Sequence, residues 1–471
     1  MSSHRKLLRG GTVLTMDPQT GTLPAGDVLI EDGLIRGIAP ELVHVDAEVI
    51  DVSGHIVMPG MVDTHRHTWQ TQMRAICANW TLLDYFCGIR LGVSSTYLPQ
   101  DVYLGNRLGA LDALNAGVTT VLDFSHCNNT PEHADAAITG LRDAGIRAVF
   151  GYGFFESNPF APPYFSAHAD RQADLARVAD TWFRGRDGLL TLGVALTEFD
   201  MVPLETTRAE ILLAREHDAL IVSHTGCVWG SPTHIVELDK AELLGPDQVH
   251  VHCNTLTEDE WTILARHGAK VSISPETELN MGMGRPVFGA LKRHGIKPTL
   301  SCDILSLNSG DLISQARLGL GFQRWADTHA LNLANANPEA VTLSAHEALE
   351  WTTVNGAEAV GLADRIGRLT PGRQADIIVV GGPGISQHPH LDPAGTILFQ
   401  TSPQDVRHVL VAGRFVKRDG ELVGVNLPRL LAEAEASAAG VLERIRSTGG
   451  TLPGTPAGGW DLLRSLAPDH G

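Results

Sequence analysis

Cysteine is scarce in the sequence, and no two cysteines stand in a metal-binding spacing. The six cysteines of the 471-residue chain are scattered without any Cys-x-x-Cys; they are Cys77, Cys87, Cys127, Cys227, Cys253 and Cys302. This usage argues against a disulfide framework and against a zinc ribbon, and it is typical of reduced thiols. We therefore expect a cytoplasmic protein.

Positive charge is scarce as well. The chain has 36 Lys and Arg residues against 54 Asp and Glu residues, a formal net charge of −18, and no basic cluster. This balance argues against nucleic acid and anionic membranes as partners. No apolar run approaches the roughly 20 residues of a membrane-spanning helix, and no apolar signal-peptide segment follows the N-terminal residues. We expect neither a nucleic-acid partner nor a membrane partner.

Nucleotide-binding glycine motifs are also missing, since neither Gly-x-Gly-x-x-Gly nor a phosphate-binding loop occurs. The middle of the chain instead repeats one unit, a helical pattern that ends in glycine and is followed by an apolar strand. Glycine just past a helix is the expected left-handed stop, and such units predict a parallel sheet covered by helices. The clearest units are 108–116, Gly117 and 118–124; 133–144, Gly145 and 146–150; 257–267, Gly268 and 269–273; and 286–294, Gly295 and 296–300.

The domain organisation follows from these units and from the two ends of the chain. The repeated units predict an α/β fold, a (β/α)8 TIM-like barrel over residues 58–371. Short strand patterns with turn residues between them occur near both termini, at 12–16, 27–30, 34–38, 376–380 and 406–411. We predict that residues 1–57 and 372–426 form one small β-sandwich domain, and that residues 427–471 form a C-terminal helix and tail.

Residues that bind metals recur where the predicted strands end. His65 and His67 are two apart, so both can face one side of an extended strand. Such a pair alone is at least as typical of a solvated strand end. However, His126, His224, His252 and Asp303 also follow strand patterns, and strand ends converge in a barrel. This recurrence predicts a divalent transition-metal site.

Structural, hydrogen-bonded histidines are the alternative to metal ligands at these positions. This alternative fits His250 best, because it shares a face with His252 but lies deeper along the strand. It also stays open for His126.

The chain resembles the amidohydrolase superfamily, in the branch of cytosine deaminase, triazine hydrolases and adenosine-type deaminases. The resemblance covers nearly the whole chain and rests on residues 29–35, 59–67, 116–121, 252–253, 355–357 and 367–376. It implies one divalent metal per chain, Zn²⁺ with Fe²⁺ as the alternative, bound by His65, His67, His224 and Asp303. Three imidazoles and one carboxylate leave a position for water, whose proton Asp303 would accept. The resemblance implies that His252 polarises the bond under attack.

Two positions depart from the pattern of these relatives. Cys227 stands three residues after His224, where ring-modifying relatives usually have a glutamate that shuttles protons. Glu278 stands where they usually have an asparagine. One interpretation is that the acid–base group has moved, which makes Glu278 catalytic together with Asp303 and His252. The other is that Glu278 lies on a solvated rim.

Six residues are candidates for substrate binding. Trp69, Gln70, Arg74 and Trp80 follow the first barrel strand, and His126 and Trp229 are candidates at the barrel mouth. Aromatic residues there fit a flat cyclic ligand, although Trp in long loops is more often a packing residue.

The predicted function is metal-dependent hydrolysis of a C–N bond in a cyclic, aromatic or heterocyclic, small molecule, of the deaminase type. We expect a homodimer or a homotetramer. The alternative is a non-hydrolytic enzyme, such as a lyase, a decarboxylase or a cyclising enzyme. It stays open because Cys227 replaces the usual glutamate. A catalytically inactive binding protein is less compatible with a complete ligand set.

Overall fold

The computed structural model describes residues 5–43, 45–155, 164–185, 187–382 and 385–461. The first four residues and residues 462–471 of the predicted tail lie outside this description. The strands are β1 (Arg5–Leu14), β2 (Thr22–Glu31), β3 (Leu34–Ala39), β4 (Glu48–Asp51), β5 (Ile56–Pro59), β6 (Met61–Arg66), β7 (Val118–Ser125), β8 (Arg147–Gly153), β9 (Leu190–Ala195), β10 (Leu220–Thr225), β11 (Gln248–His252), β12 (Lys270–Ile273), β13 (Pro298–Leu300), β14 (Ile377–Val380), β15 (Val406–Val411), β16 (Arg414–Arg418) and β17 (Glu421–Leu422).

The helices connect and cover these strands. They are α1 (Leu82–Tyr85), α2 (Ser94–Thr96), α3 (Pro99–Asn115), α4 (Pro131–Ala144), α5 (His168–Trp182), α6 (Leu204–Glu216), α7 (Ile235–Lys240), α8 (Glu258–Arg266), α9 (Pro275–Asn280), α10 (Phe288–His294), α11 (Leu312–Leu333), α12 (Ala345–Thr352), α13 (Val354–Ala359), α14 (Pro393–Gln400) and α15 (Leu427–Ser447). Turns of 3₁₀ helix cover Thr68–Met73, Ile385–Gln387 and Pro403–Asp405, and a π-helix covers Phe86–Val93. Among the described helices, none has both the length and the apolar character needed to cross a bilayer.

Strands β6 to β13 form the predicted barrel. They lie side by side in chain order and pair in parallel. Backbone hydrogen bonds close the ring between its two ends: the Asp303 N–H donates to the His65 carbonyl at 3.1 Å, and the His67 N–H donates to the Asp303 carbonyl at 2.8 Å. We call this junction the barrel seam. The predicted α/β barrel fold is confirmed.

Local sequence signals explain where the barrel helices stop and start. Helices α4 and α10 end at Gly145 and Gly295, whose φ angles of 75° and 68° are left-handed, as predicted. Helix α8 begins with a capping box, because the Thr257 side chain accepts from the backbone of Glu260. Helix α3 is longer than predicted, since it begins at Pro99, which suits the first position of a helix.

The two ends of the chain share one sheet, as predicted. Nine strands form it in the order β17-β16-β15-β14-β5-β1-β2-β3, with β4 paired to β1. Strand β5 is parallel to β1 and antiparallel to β14, so it joins the N-terminal and C-terminal strands. It then continues into β6 through Gly60, where a Cβ would collide with Thr119. The predicted boundary between residues 57 and 58 therefore falls inside β5.

A buried ion pair fixes the barrel to the terminal sheet. Arg147 on β8 donates through Nε to the Asp376 carboxylate at 2.8 Å, and each side chain is 1% exposed. The same carboxylate accepts the Ala412 N–H at 2.8 Å. Because water reaches neither charge, each depends on the other for compensation.

We expect Arg147→Leu to lower the free energy of unfolding by about 3–5 kcal/mol, because it leaves the Asp376 carboxylate buried without its cation. Urea denaturation of the purified protein measures this. The matched control is Arg215→Leu, which breaks an Arg–Asp pair of the same 2.8 Å length whose side chains are 31% and 34% exposed. It should cost about 1 kcal/mol or less. Equal losses in the two variants would contradict the coupling of barrel and sheet.

Candidate active site

Two histidines at the strand ends have their tautomers set by neighbouring acceptors. The His67 Nδ1 lies 3.0 Å from the Phe124 carbonyl on β7, and the His224 Nδ1 lies 3.2 Å from Oε1 of Glu198. Carbonyl and carboxylate oxygens only accept, so each Nδ1 carries the proton. Each Nε2 is therefore unprotonated and carries a lone pair. The two Nε2 atoms face each other at 3.3 Å.

A carboxylate and a third histidine complete an enclosed group of acceptors. Oδ1 of Asp303 lies 3.2 Å from Nε2 of His65 and 3.5 Å from Nε2 of His67. Both ring nitrogens of His65 are buried without a hydrogen-bond partner among the described residues. Lone pairs and a carboxylate this close repel one another unless a cation lies between them. The arrangement therefore fits a metal ion.

Burial gives these side chains the protonation states that a metal requires. It lowers the pKa of His65 to about 4, and it lowers the pKa of His67 and of His224 below the ordinary value. Although burial would raise the pKa of Asp303, the His65 and His252 imidazoles hold that pKa well below its usual range. Neutral imidazoles and an ionised carboxylate are metal ligands.

The structure brings together all four predicted metal ligands. Together with His252, their ligand-type atoms form two overlapping groups, each within 4.8 Å: His65, His67 and Asp303, and His65, His224 and His252. The backbone at two of these strand ends is left-handed, with φ of 74° at His252 and 57° at Asp303. Such conformations are uncommon outside glycine and concentrate at functional sites.

Glu278 lies behind His252 and not on a solvated rim. It is fully buried in α9. Its Oε1 accepts the Ser274 N–H at 2.9 Å and lies 3.3 Å from Nδ1 of His252. Burial lowers the pKa of His252, but Glu278 and Asp303 outweigh this effect and raise the pKa above its ordinary value. His252 is therefore the most readily protonated of the clustered imidazoles.

A cavity opens beside this cluster, and we call it the active-site cavity. Its lining includes the site residues His67, His224, His252 and Asp303, the polar residues Arg90, Glu198, Asp200 and Cys227, and the apolar residues Tyr85, Phe86, Met281, Met283 and Trp460. Neither His65 nor Glu278 lines it, so both side chains lie deeper than the cavity wall.

None of the six predicted substrate-binding residues lines the active-site cavity. Three of them support residues of the site. His126 stacks on His67 with ring centroids 4.2 Å apart, and it accepts a hydrogen bond from Nε1 of Trp69 at 2.9 Å. Gln70 donates to the hydroxyl of Tyr85 at 3.1 Å.

The other three predicted substrate-binding residues lie further out. Arg74 forms an ion pair with Asp112 at 3.1 Å, and Trp80 packs against Gly88. Trp229 is 60% exposed and donates to the Met283 carbonyl at 2.7 Å. These contacts hold all three side chains outside the cavity lining.

Glu198 and Arg90 were not predicted, although both line the cavity. Glu198 follows the end of β9 by three residues, so the strand-end rule could have identified it. Burial would raise its pKa, but the Arg90 guanidinium and His224 hold the pKa of Glu198 below its usual range. Arg90 belongs to the π-helix and has no recognisable signal in the sequence.

A closed parallel barrel that gathers imidazoles and a carboxylate at its strand ends is the architecture of a barrel enzyme with its chemistry at that face. Residues 56–416 match the family model described as the amidohydrolase family, and the chain belongs to this family. It is a hydrolase acting on C–N bonds other than peptide bonds.

Curated relatives match nearly the full chain. The 5-methylthioadenosine/S-adenosylhomocysteine deaminase of Desulforamulus reducens is 25% identical over 456 residues, which cover 93% of this chain and 99% of the relative. The 5'-deoxyadenosine deaminase of Methanosarcina mazei is 25% identical over 471 residues, which cover 94% and 99%. The shared architecture therefore extends over whole chains.

Solved structures share the fold. An adenosine deaminase from Xanthomonas campestris with bound zinc gives a TM-score of 0.79 at 23% identity, covering 93% of this chain and 98% of that one. An atrazine chlorohydrolase from Arthrobacter aurescens complexed with zinc gives a TM-score of 0.80 at 23% identity, covering 92% and 100%.

Glu210 fixes the turn that carries Glu198. It is fully buried on α6, its Oε2 accepts the Thr197 N–H at 2.9 Å, and its Oε1 lies 2.8 Å from Oγ1 of Thr197. Burial raises the pKa of Glu210 to about 8. The folded state therefore binds this proton more tightly than the unfolded state. The stability due to this proton is complete below the unfolded pKa of about 4.3 and is lost as the pH rises towards 8.

We expect Glu210→Gln to remove the loss of stability at rising pH, because the amide does not ionise. The amide oxygen can accept the Thr197 N–H, and the amide nitrogen can donate to the Thr197 hydroxyl. Relative to the native protein, the variant should gain up to a few kcal/mol of stability between pH 5 and about 8. Urea midpoints across this range measure the gain. Glu216→Gln, at an exposed position of the same helix, is the control and should show no such trend. Parallel curves for Glu210→Gln and the native protein would contradict the buried proton.

Proposed function

We propose that this hydrolase is a metal-dependent aminohydrolase that acts on a C–N bond of a cyclic, aromatic or heterocyclic, small molecule. The proposal rests on the enclosed group of acceptor atoms from His65, His67, His224 and Asp303. These residues would hold one divalent metal per chain. Zn²⁺ is the first candidate and Fe²⁺ the second, since imidazole and carboxylate suit both.

A metal bound there would lower the pKa of a coordinated water towards about 7 and so supply a nucleophile at neutral pH. The chain supplies the remaining groups. The ionised carboxylate of Asp303 is placed to accept the proton of the attacking water. His252, with its raised pKa, is placed to donate to the substrate atom on which negative charge develops.

The relay to the leaving group runs through His252 and not through Cys227. Burial raises the pKa of Cys227, so its thiol stays protonated at neutral pH. Glu278 accepts from Nδ1 of His252, which leaves the other ring nitrogen free for the cavity. Glu278 is therefore a positioning residue that favours the protonated form of His252.

The names of the relatives indicate which substrates to test first. The curated relatives are named for 5-methylthioadenosine, S-adenosylhomocysteine and 5'-deoxyadenosine. Purine nucleosides that carry an exocyclic amine therefore come first, followed by aminated pyrimidines and triazines. Ammonia release identifies a productive substrate.

We expect about one zinc or iron atom per chain in the purified protein, measured by elemental analysis. Removal by a chelator should abolish ammonia release, and added Zn²⁺ should restore it. His224→Ala should lose most of the metal, because it removes one ligand. His250→Gln is the control: His250 lies behind the site, bonded to Oγ1 of Thr225 at 3.0 Å, so it should retain its metal. Full metal content in His224→Ala would contradict the ligand set.

We expect Glu278→Gln to lower kcat by about 10²–10⁴-fold, the usual effect of losing acid–base assistance. KM, metal content and melting temperature should change little. Glu276→Gln on the same helix is the control, since the Glu276 carboxylate contacts Gln315 at 2.7 Å and lies outside the cavity lining. Full activity of Glu278→Gln on the true substrate would show that the relay is wrong.

A further inference from the structure

The chain after α15 continues onto the helices that form one wall of the active-site cavity, α1 and the π-helix. We call residues 452–461 the C-terminal segment. At its start it packs on the π-helix, where two glycines leave room for it. A Cβ at Gly92 would stand 3.3 Å from the Leu452 side chain, and a Cβ at Gly88 would stand 3.1 Å from the Cα of Pro453. The C-terminal segment therefore lies in close contact with the π-helix.

The C-terminal segment then runs back along these helices towards the cavity. The Thr455 hydroxyl donates to the Asp84 carboxylate in α1, and a Cβ at Gly459 would stand 3.0 Å from the Leu83 side chain. The partners thus step backwards from Gly92 to Leu83 as the segment advances. Because Leu83 lines the active-site cavity, the segment arrives at the cavity wall.

Trp460 follows at this point, is half-buried and lines the active-site cavity. The chain has eight tryptophans, and the other seven do not line this cavity. Two of them, Trp229 and Trp325, are exposed. Five belong to the apolar core or pack against it: Trp69, Trp80, Trp182, Trp261 and Trp351. Trp460 is therefore the tryptophan that is placed to meet a ligand.

The indole of Trp460 has no aromatic or cationic partner among the described residues. The other aromatic residues of the cavity lining are already engaged. The Tyr85 hydroxyl accepts from Gln70, and the Phe86 ring meets the Phe155 ring edge-on with centroids 6.0 Å apart. An unpaired indole at a cavity wall can stack on a flat ring that enters the cavity.

We propose that the substrate ring packs against the indole of Trp460, and that the C-terminal segment thereby selects flat rings over puckered ones. The inference deepens the proposed aminohydrolase function and rests on its cyclic substrate. Two flat rings pack face to face with an offset or edge to face, and such a pair is more favourable than its buried area alone. A puckered ring cannot offer such a face. Trp460 thus takes the role of aromatic partner that the sequence predicted for Trp69, Trp80 and Trp229.

Calorimetric titration of the full-length, metal-loaded protein with unreactive probes tests this preference. Each pair of probes keeps the polar group and changes only the ring: benzamide against cyclohexanecarboxamide, 2-pyridone against 2-piperidone, and 2-naphthamide against its decahydro form. At least one flat probe should bind more tightly than its puckered counterpart. Trp460→Leu, which keeps apolar bulk, should weaken that flat probe by about 3–10-fold and leave the puckered probe nearly unchanged. Trp460→Phe should retain most of the preference.

Fluorine NMR of the protein labelled with 5-fluorotryptophan tests the contact itself. The resonance that is absent in Trp460→Phe identifies Trp460. The flat probe should shift this resonance, because the ring current of a stacked ring acts only at close range. Trp325 is the control, since it is 54% exposed on α11 and lies outside the cavity lining. Its resonance should stay in place, and Trp325→Leu should bind both probes as the native protein does.

The proposal is overturned if no flat probe outbinds its puckered counterpart, if Trp460→Leu weakens both probes alike or neither, or if the Trp460 resonance does not respond to the flat probe. A role in packing alone would weaken both probes and lower the melting temperature. Ammonia release is recorded separately. Flat-ring binding through Trp460 without ammonia release from any amino heterocycle would reject the hydrolysis and retain the ring-binding role. Ammonia release from such a ring that does not depend on Trp460 would do the reverse.

Discussion

The constraint on which the structure depends is the mutual repulsion of the acceptor atoms at the barrel seam. Lone pairs of His67 and His224 meet at 3.3 Å beside the ionised carboxylate of Asp303, at the wall of the active-site cavity. A cation between these atoms would relieve their repulsion. The backbone of Asp303 also pairs with both His65 and His67. The residues that close the barrel are therefore also residues of the site.

A second layer of acceptors fixes the orientation of the imidazoles. The Phe124 carbonyl, the Glu198 carboxylate and the Glu278 carboxylate each receive one Nδ1–H. Such partners set the tautomer and aim the other nitrogen, and metal-binding histidines usually have them. They come from β7, from the turn after β9 and from α9, which surround the barrel mouth. The position of each ring thus depends on an element distant in sequence.

Features with a local physical cause could be predicted from the sequence, and features set by loop paths could not. The two-residue period places His65 and His67 on one face, and glycines such as Gly145 stop helices where they adopt a left-handed φ. By contrast, the aromatic character of Trp69 and Trp229 indicates only that they bury surface. Whether a ring faces a ligand or a neighbouring helix depends on packing over many residues. Arg90 was unpredictable for the same reason, since its π-helix continues α1 within the long connection between β6 and α3.

The position of the carboxylates explains how the site compensates for Cys227. A glutamate three residues after His224 would face the ligand directly, whereas Glu278 reaches the cavity only through His252. In place of that glutamate, the cavity wall has the neutral thiol of Cys227, flanked by the His252 imidazole and the Arg90 guanidinium. His252 rests against the Glu278 carboxylate behind it, and Arg90 donates to the Glu198 carboxylate beside it. Because Glu198 itself lines the cavity, this wall presents the donors of His252 and Arg90 together with the acceptor oxygens of Glu198.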